Sequence, residues 1–174
     1  MNLQPTLADE LVLLRPLVAE DFNELYAVAS DPLIWEQHPA HNRWQRPVFE
    51  LFFAHALAME SAFAVIDQQT QQMIGSTRYR LAEKHPGAVE IGWTFLARTH
   101  WGGTYNRAMK VLLIEHAFQY VNQVLLLIGN DNVRSCKAAE KMGAKRLPDE
   151  IAAPLVIGKD NYCAYAFQRS RWGQ

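Results

Sequence analysis

Between Arg98 and Lys141 the chain places two basic clusters, each behind a strand-like run. The segment RTHWGGT, Arg98 to Thr104, carries a Gly-Gly pair and leads into a helical stretch with Arg107 and Lys110. A glycine-bearing turn at a helix start presents unpaired backbone N–H groups, and these, with the helix dipole, bind phosphate. After the next apolar run, Arg134, Lys137 and Lys141 fall at i, i+3 and i+7, on one helix face. The chain is nearly neutral, with 17 basic and 18 acidic residues, so cations gathered on two helices suit one polyphosphate ligand. Alone, a Gly-Gly turn is ordinary punctuation and a basic helix face is ordinarily solvated. Their conjunction points to the ligand.

A second group of chemically able residues lies in the segment IWEQHPAHNRWQR. Trp35, His38, His41, Arg43 and Trp44 are unusual in a passive connection and would suit the rim of a site for a carboxylate or a peptide terminus. Aromatics pinning a loop to the helices beneath is the structural alternative. The six histidines include no HExxH and form no Cys/His cluster with zinc spacing, so no metal is expected. Cys136 and Cys163 are far apart and lack a CxxC spacing, which argues against a disulfide framework. Cys136 sits at helix spacing beside Val133 and reads as core.

The elements that must position these residues follow from periodicity. Glu10 to Leu17 (ELVLLRPL) reads as a short strand, and Ala19 to Ala29 as a helix with Phe22, Leu25, Tyr26 and Ala29 on one face. Leu33 to Arg46 reads as a long loop. Pro47 opens a helix whose apolar face is Phe49, Phe52, Phe53, Ala56 and Leu57. Strands are expected at Ala62–Asp67, Met73–Leu81 and Ala88–Ala97, an antiparallel meander with a turn over Glu83–Gly87. Simple alternation in the third would put Val89, Ile91, Trp93 and Phe95 on one face and Glu90, Gly92 and Thr94 on the other. The helix after RTHWGGT buries Tyr105, Ala108, Met109, Leu112, Leu113 and His116 or Ala117, with Tyr120 beyond. Val124–Ile128 is a buried strand, and Asn130 to Asn132 cap a helix that stops at Gly143. Lys145 to Gln168 reads as two more strands. A mixed sheet covered by helices accommodates this order in one domain, residues 1–174.

Composition excludes several classes. About half of the 174 residues are apolar, enough for one core. A net charge of −1 argues against a general nucleic-acid binder. No apolar run approaches the length of a membrane span, and the N-terminus lacks the basic head and apolar stretch of a signal peptide. A soluble, cytoplasmic protein is the expectation.

EIGWTFLARTHWGGTYNRAMK and NVRSCKAAEKMGA resemble the acetyl-CoA signature and the following Asn-to-Gly helix of the GNAT acetyltransferase superfamily. The likeness runs over nearly the whole chain and is greatest to the branch containing the ribosomal-protein N-terminal alanine acetyltransferases. It implies an α/β (α+β) fold. In that fold a mixed, mostly antiparallel sheet flanked by helices splays into a V between its fourth and fifth strands, here Ala88–Ala97 and Val124–Ile128. Acetyl-CoA is the implied co-substrate and an amine-bearing acceptor, a peptide N-terminus or a small molecule, the implied partner. Nucleic acid, membrane and metal are not implied; the C-terminal edge strands would be the place for a homodimer.

The resemblance also assigns residues. Backbone at Phe95, Leu96 and Ala97 would pair with pantetheine. Arg98, Trp101, Gly102, Gly103, Thr104 and Tyr105 would hold the pyrophosphate, with Lys137 as a further cation. Asn132 and Ser135 would lie near the thiol. Glu90 becomes the candidate base and Ser135 the candidate acid, because the family's usual acid, a helix Tyr, aligns with Ala139. Trp35, His38, His41 and Trp44 would rim the acceptor. The loop departs from the family pattern: Gly102 fits the first small position, but Thr104 fills the last, Thr99 replaces the usual Gln or Arg, and Arg98 falls one residue early. Gly103 can provide the close approach, and a Thr hydroxyl can donate to phosphate.

The demand on the base depends on the acceptor. At pH 7 a lysine amine is about 0.04% neutral, whereas an α-amine is about 10–17% neutral, so an α-amine needs far less help. His100 is a second candidate base by its ordinary pKa. The missing Tyr and the altered loop also allow a non-catalytic acyl-CoA sensor, and a protein for another phosphate ligand remains a third reading.

Overall fold

The computed structural model describes residues 1–82, 85–159 and 161–173. Its eight strands are β1 (Leu7–Ala8), β2 (Val12–Pro16), β3 (Ala62–Asp67), β4 (Met73–Leu81), β5 (Ala88–Leu96), β6 (Gln123–Gly129), β7 (Lys145–Arg146) and β8 (Tyr162–Gln168). They form one sheet in the order β1-β2-β3-β4-β5-β6-β8-β7. All neighbours are antiparallel except β5 and β6. The helices are α1 (Phe22–Ala29), α2 (Arg46–Ala58), α3 (Tyr105–Ala117), α4 (Val133–Lys141) and the short α5 (Asp149–Ala152). The turn expected over Glu83–Gly87 begins on Glu83 and Lys84, which lie outside the described residues.

Each face of the sheet has its own core. On one, Val12, Leu14, Phe63, Val65, Val89 and Ile91 pack with Met109, Leu113, Ile114 and Ala117 of α3. On the other, Leu17, Ala62, Ala64 and Ile66 meet Leu25 and Ala29 of α1 and Phe49, Phe53 and Ala56 of α2. β3 shows why: AFAVID is buried at every position, with Phe63 and Val65 toward α3 and the smaller Ala62 and Ala64 beneath α1 and α2. A strand covered on both faces reads as a continuous apolar run. Full burial of one such aromatic or branched side chain is worth about 1.5–3 kcal/mol.

Two features prepare the site. First, β5 is bulged. Ser76 pairs with Phe95 and Arg78 with Gly92, so Thr77 alone opposes both Trp93 and Thr94. Trp93 takes φ +52°. The extra residue reverses the facing of everything beyond it. Val89 and Ile91 belong to the α3-side core, but Phe95 enters the opposite core beside Trp35 and Phe49. This corrects simple alternation, which put Val89, Ile91, Trp93 and Phe95 together. Second, β5 and β6 pair only at Ala88–Gln123, Val89–Val124 and Glu90–Leu125. From Ile91 onward the two strands part, and the facing edges are not laddered to each other.

Candidate active site

The parting strands enclose a cleft of about 370 Å³. β5 from Glu90 to Leu96 forms one wall and β6 from Leu126 to Gly129 the other; α3 and α4 contribute Asn106, Lys110, Asn132 and Ser135. An unladdered strand edge leaves main-chain N–H and C=O groups that an extended ligand can satisfy as one more strand would.

At the outer end of β5, a 3-10 turn over Arg98–His100 leads to Gly102 at φ +68°. That conformation favours glycine, and a Cβ built there meets nothing within 4 Å, so the space beside Gly102 is open. Thr104 precedes α3 but makes no side-chain cap, leaving the first amides of α3 free for an anion. The turn is held from below. Buried Asp67 at the end of β3 accepts from Tyr105 Oη at 3.2 Å and meets His100 Nε2 at 3.4 Å, while the His100 and Tyr105 rings pack edge to face. Trp101 Nε1 donates to the Leu96 carbonyl at 2.9 Å.

The structure separates the expected cofactor residues into groups. Phe95, Leu96, Trp101, Gly102, Asn132 and Ser135 line the cleft. Gly103 and Thr104 are exposed on the loop at its mouth, and Tyr105 is occupied with Asp67. Arg98 forms an ion pair with Asp31, and with Ala97 it faces a shallow depression outside the cleft. Lys137 is exposed on α4 and does not line the cleft. Asn132 caps α4, its Oδ1 accepting from the Ser135 amide at 3.2 Å.

The two basic clusters differ from a common phosphate grip. Arg107 is exposed, but Lys110 is turned inward and 7% exposed, its Nζ donating to Thr94 Oγ1 at 2.8 Å. Burial pushes the Lys110 amine down to about 7, with the charge of Glu90 acting in the other sense. Arg134 stacks on Trp101, its Cζ 3.7 Å from the ring centroid, and donates to the Ile34 carbonyl at 3.1 Å.

Of the expected rim, Trp35 and His38 line the cleft with Arg43; His41 and Trp44 are exposed away from it. Trp35 is 1% exposed, donates to the Ala29 carbonyl at 2.7 Å and packs on Phe95. Burial, then the neighbouring charges of Arg43 and Arg134, push the His38 imidazole down to about 3, so the ring is neutral. The segment closes onto β6 because Gly129 permits it. A Cβ there would stand 2.6 Å from Pro39 Cγ.

Glu90 is 3% exposed at the closed end of the cleft. Its carboxylate is ion-paired with Arg80 and, at 3.5 Å, with Lys159 Nζ. Sequence reasoning passed over three residues here. Arg43 reads only as part of the rim, Arg78, buried against Trp93, has no motif, and Tyr162, which lines the cleft beside Lys159, falls in the 145–168 stretch read only as strands. Burial holds the Tyr162 phenol above its usual range, so it remains a proton donor. Among the described residues, no group of three or more His, Cys, Asp or Glu is arranged to hold a metal ion, and no helix is long and apolar enough to cross a membrane.

A strand pair that splays after three residue pairs, a bulge on the same strand, and a glycine turn into a helix at its end form one unit. Residues 12–145 match the family model described as an acetyltransferase (GNAT) domain. The chain belongs to the GNAT acetyltransferase family. GNAT acetyltransferases draw their acyl group from acetyl-CoA, and the open space beside Gly102 and the free β5 edge fit such a co-substrate. Solved GNAT structures share the fold. A GCN5-related N-acetyltransferase from Brucella melitensis superposes with a TM-score of 0.77 at 22% identity, over 97% of this chain and 80% of that one. A GNAT-family acetyltransferase from Chromobacterium violaceum gives 0.80 at 21% identity, over 97% and 88%. An acetyltransferase from Agrobacterium tumefaciens gives 0.73 at 23%, over 94% of each chain. No curated protein matches this GNAT chain by sequence.

Proposed function

We propose that this chain transfers the acetyl group of acetyl-CoA directly to a primary amine, either a peptide N-terminal α-amine or the amine of a small molecule. The observation that carries this is the cleft itself: an unladdered β5 edge runs from the glycine turn to Glu90, joining a cofactor track to a buried carboxylate. Pantetheine pairs with the backbone of Phe95, Leu96 and Ala97. Gly102, Gly103 and Thr104, with the first amides of α3, take the pyrophosphate, and Trp101, Tyr105 and Arg98 hold that loop in shape. Lys137, out on α4, serves at most the phosphate end. Asn132 and Ser135 stand by the sulfur.

The amine nitrogen attacks the thioester carbonyl, an amide bond forms and the C–S bond breaks. One proton leaves the nitrogen and one reaches the sulfur. Glu90 receives the first, directly or through a water, exchanging one of its two ion pairs for the new proton. This limited capacity suits an α-amine, which is already partly neutral at pH 7. Ser135, whose hydroxyl makes no hydrogen bond among the described residues, hydrogen-bonds the departing sulfur and passes it a proton taken up from water, so that the hydroxyl is restored. Trp35 and His38 shape the acceptor side; His41 and Trp44 stand too far out to touch a small amine and suit a longer peptide. An acceptor like that of the ribosomal-protein alanine acetyltransferases is one member of this class.

Thiol release from acetyl-CoA against α-amine peptides, amino acids and polyamines tests the proposal. Turnover is expected with α-amines ahead of polyamines. Tight acetyl-CoA binding with no acceptor turned over would instead make the chain a sensor.

A further inference from the structure

The acceptor side of the cleft holds more positive charge than its carboxylates balance. Arg80 and Lys159 share Glu90. Arg43 and Arg78 have no carboxylate partner among the described residues, yet both are withdrawn from water. Arg78 is 2% exposed and stacks on Trp93, a wall of the cleft, with its Cζ 4.8 Å from the ring centroid. Its Nη1 donates to His55 Nδ1 at 2.9 Å, but its Nη2 is buried without a hydrogen-bond partner. Arg43 lines the cleft, and its only side-chain hydrogen-bond contact among the described residues is His38 Nε2 at 3.4 Å. The two guanidinium carbons lie 4.6 and 5.1 Å from the centroid of the same Phe52 ring.

Aromatic faces and neutral imidazoles tolerate cations without neutralising them. A buried donor without an acceptor is costly, and two guanidinium groups this close repel each other. Burial, and for Arg78 the charge of Arg43, lower each to about 10, which still leaves both charged at neutral pH. An arginine fork on an aromatic-walled cleft, Arg43 here, with a second guanidinium enclosed behind the wall, is a receptor for a planar or tetrahedral oxyanion. The pyrophosphate track lies elsewhere, at Gly102 and the start of α3, so the CoA phosphates do not answer this charge.

We propose that the acceptor is a small amine bearing its own oxyanion, a carboxylate or a phosphate, held by the Arg43 fork and drawn by the enclosed charge of Arg78 behind it, so that its amine meets the carbonyl near Glu90. This rests on the acetyl-transfer reading above and narrows its acceptor class. Glu90 then has two relations to the substrate. It receives the amine's proton, and by pairing with Arg80 and Lys159 it leaves the anion to Arg43, with Arg78 behind the wall.

The test compares matched amines: L-alanine against L-alaninamide for carboxylate, and D-glucosamine 6-phosphate against D-glucosamine for phosphate, each with acetyl-CoA. At least one anionic member should exceed its neutral partner roughly ten- to hundredfold in kcat/KM, the range of a charge-assisted hydrogen bond or two. Arg43→Gln should reduce that ratio tenfold or more, and Arg78→Met to a smaller extent, while the Kd for acetyl-CoA is unchanged. Met fills the space of the buried stem, so the Arg78 variant should keep its melting temperature. Arg78→Lys, which retains the charge, should keep most of the ratio, whereas Arg43→Lys, which retains charge but not the fork, should not. Neutral amines preferred throughout, or variants that slow both members of a pair equally, would overturn the inference; so would a succinyl-CoA arm in which the variants impair only that donor. If no amine is turned over, acetyl transfer fails, but the anion site is still read by melting curves with sodium phosphate and sodium succinate. Protection of the native chain that Arg43→Gln abolishes supports the site, and its absence sinks it.

Discussion

The two halves of the cleft are made of different material. The half toward Gly102 is mostly main chain: the β5 edge beyond Ile91, the amides at the start of α3, and a glycine with φ +68°. The half toward Glu90 is side chain: a carboxylate, four cations and an aromatic wall drawn from α2, β4, β5, the 32–45 segment and the loop before β8. A grip built from backbone depends on geometry and tolerates many side chains, as does the fold itself, which persists at 21–23% identity to solved structures. A grip built from side chains depends on which residues meet, and there one member can differ from the next.

The sharpest way to break this comparison is at the backbone half. Gly102→Val demands a positive φ of a β-branched residue and sets its Cβ in the open space beside the loop. Acetyl-CoA affinity should fall by more than about 100-fold in calorimetry, with the melting temperature little changed because the site is exposed. Unchanged affinity would remove this loop from the donor grip. At the side-chain half, Glu90→Gln keeps the shape and removes the charge. Turnover should drop roughly 10- to 100-fold, with little effect on the Kd for acetyl-CoA; a full rate from about pH 6 to 9 would end its role as proton acceptor.

The smallest effect is on stability and is read through pH. Lys110 touches both halves: it belongs to α3 and bonds Thr94 at the bulge. In the folded chain it protonates at about 7, and in the unfolded chain near about 10.4. Between those values the unfolded chain carries the extra proton, so the Lys110 contribution makes stability rise as pH climbs from about 7 toward 10. Below about 7 both states are protonated and the burial penalty is fully present. Lys110→Met should remove that rise, seen as a flatter dependence of melting temperature on pH than in the native chain. Equal slopes would mean that Lys110 is solvated.

Much of the frame was legible from local pattern. The α3 stripe of Met109, Leu113 and Ala117, the buried run AFAVID, and the Asn132 cap before α4 each follow from a period or a capping preference within a few residues. The RTHWGGT turn and the Asn-to-Gly helix carried the family resemblance, and with it the splayed mixed sheet. Simple alternation in β5 fails at Trp93 because a bulge is a property of two strands in register. Nothing in EIGWTFL alone says that Thr77 will face two residues. Lys110 read as a free cation because helical spacing shows which residues share a face, not which face meets a polar neighbour.

Thus the order of elements, the two apolar cores and the glycine-turned helix start were determined by the sequence, since they depend on interactions between residues near in the chain or on a simple apolar period. The register shift in β5, the inward turn of Lys110 and the meeting of Arg43 with Arg78 were decided only by tertiary structure. Those contacts join residues that only the packing of α2 and the 32–45 segment against the sheet brings within reach. The energy of such uncompensated charge comes from burial and from neighbours distant in sequence, which no spacing of letters records.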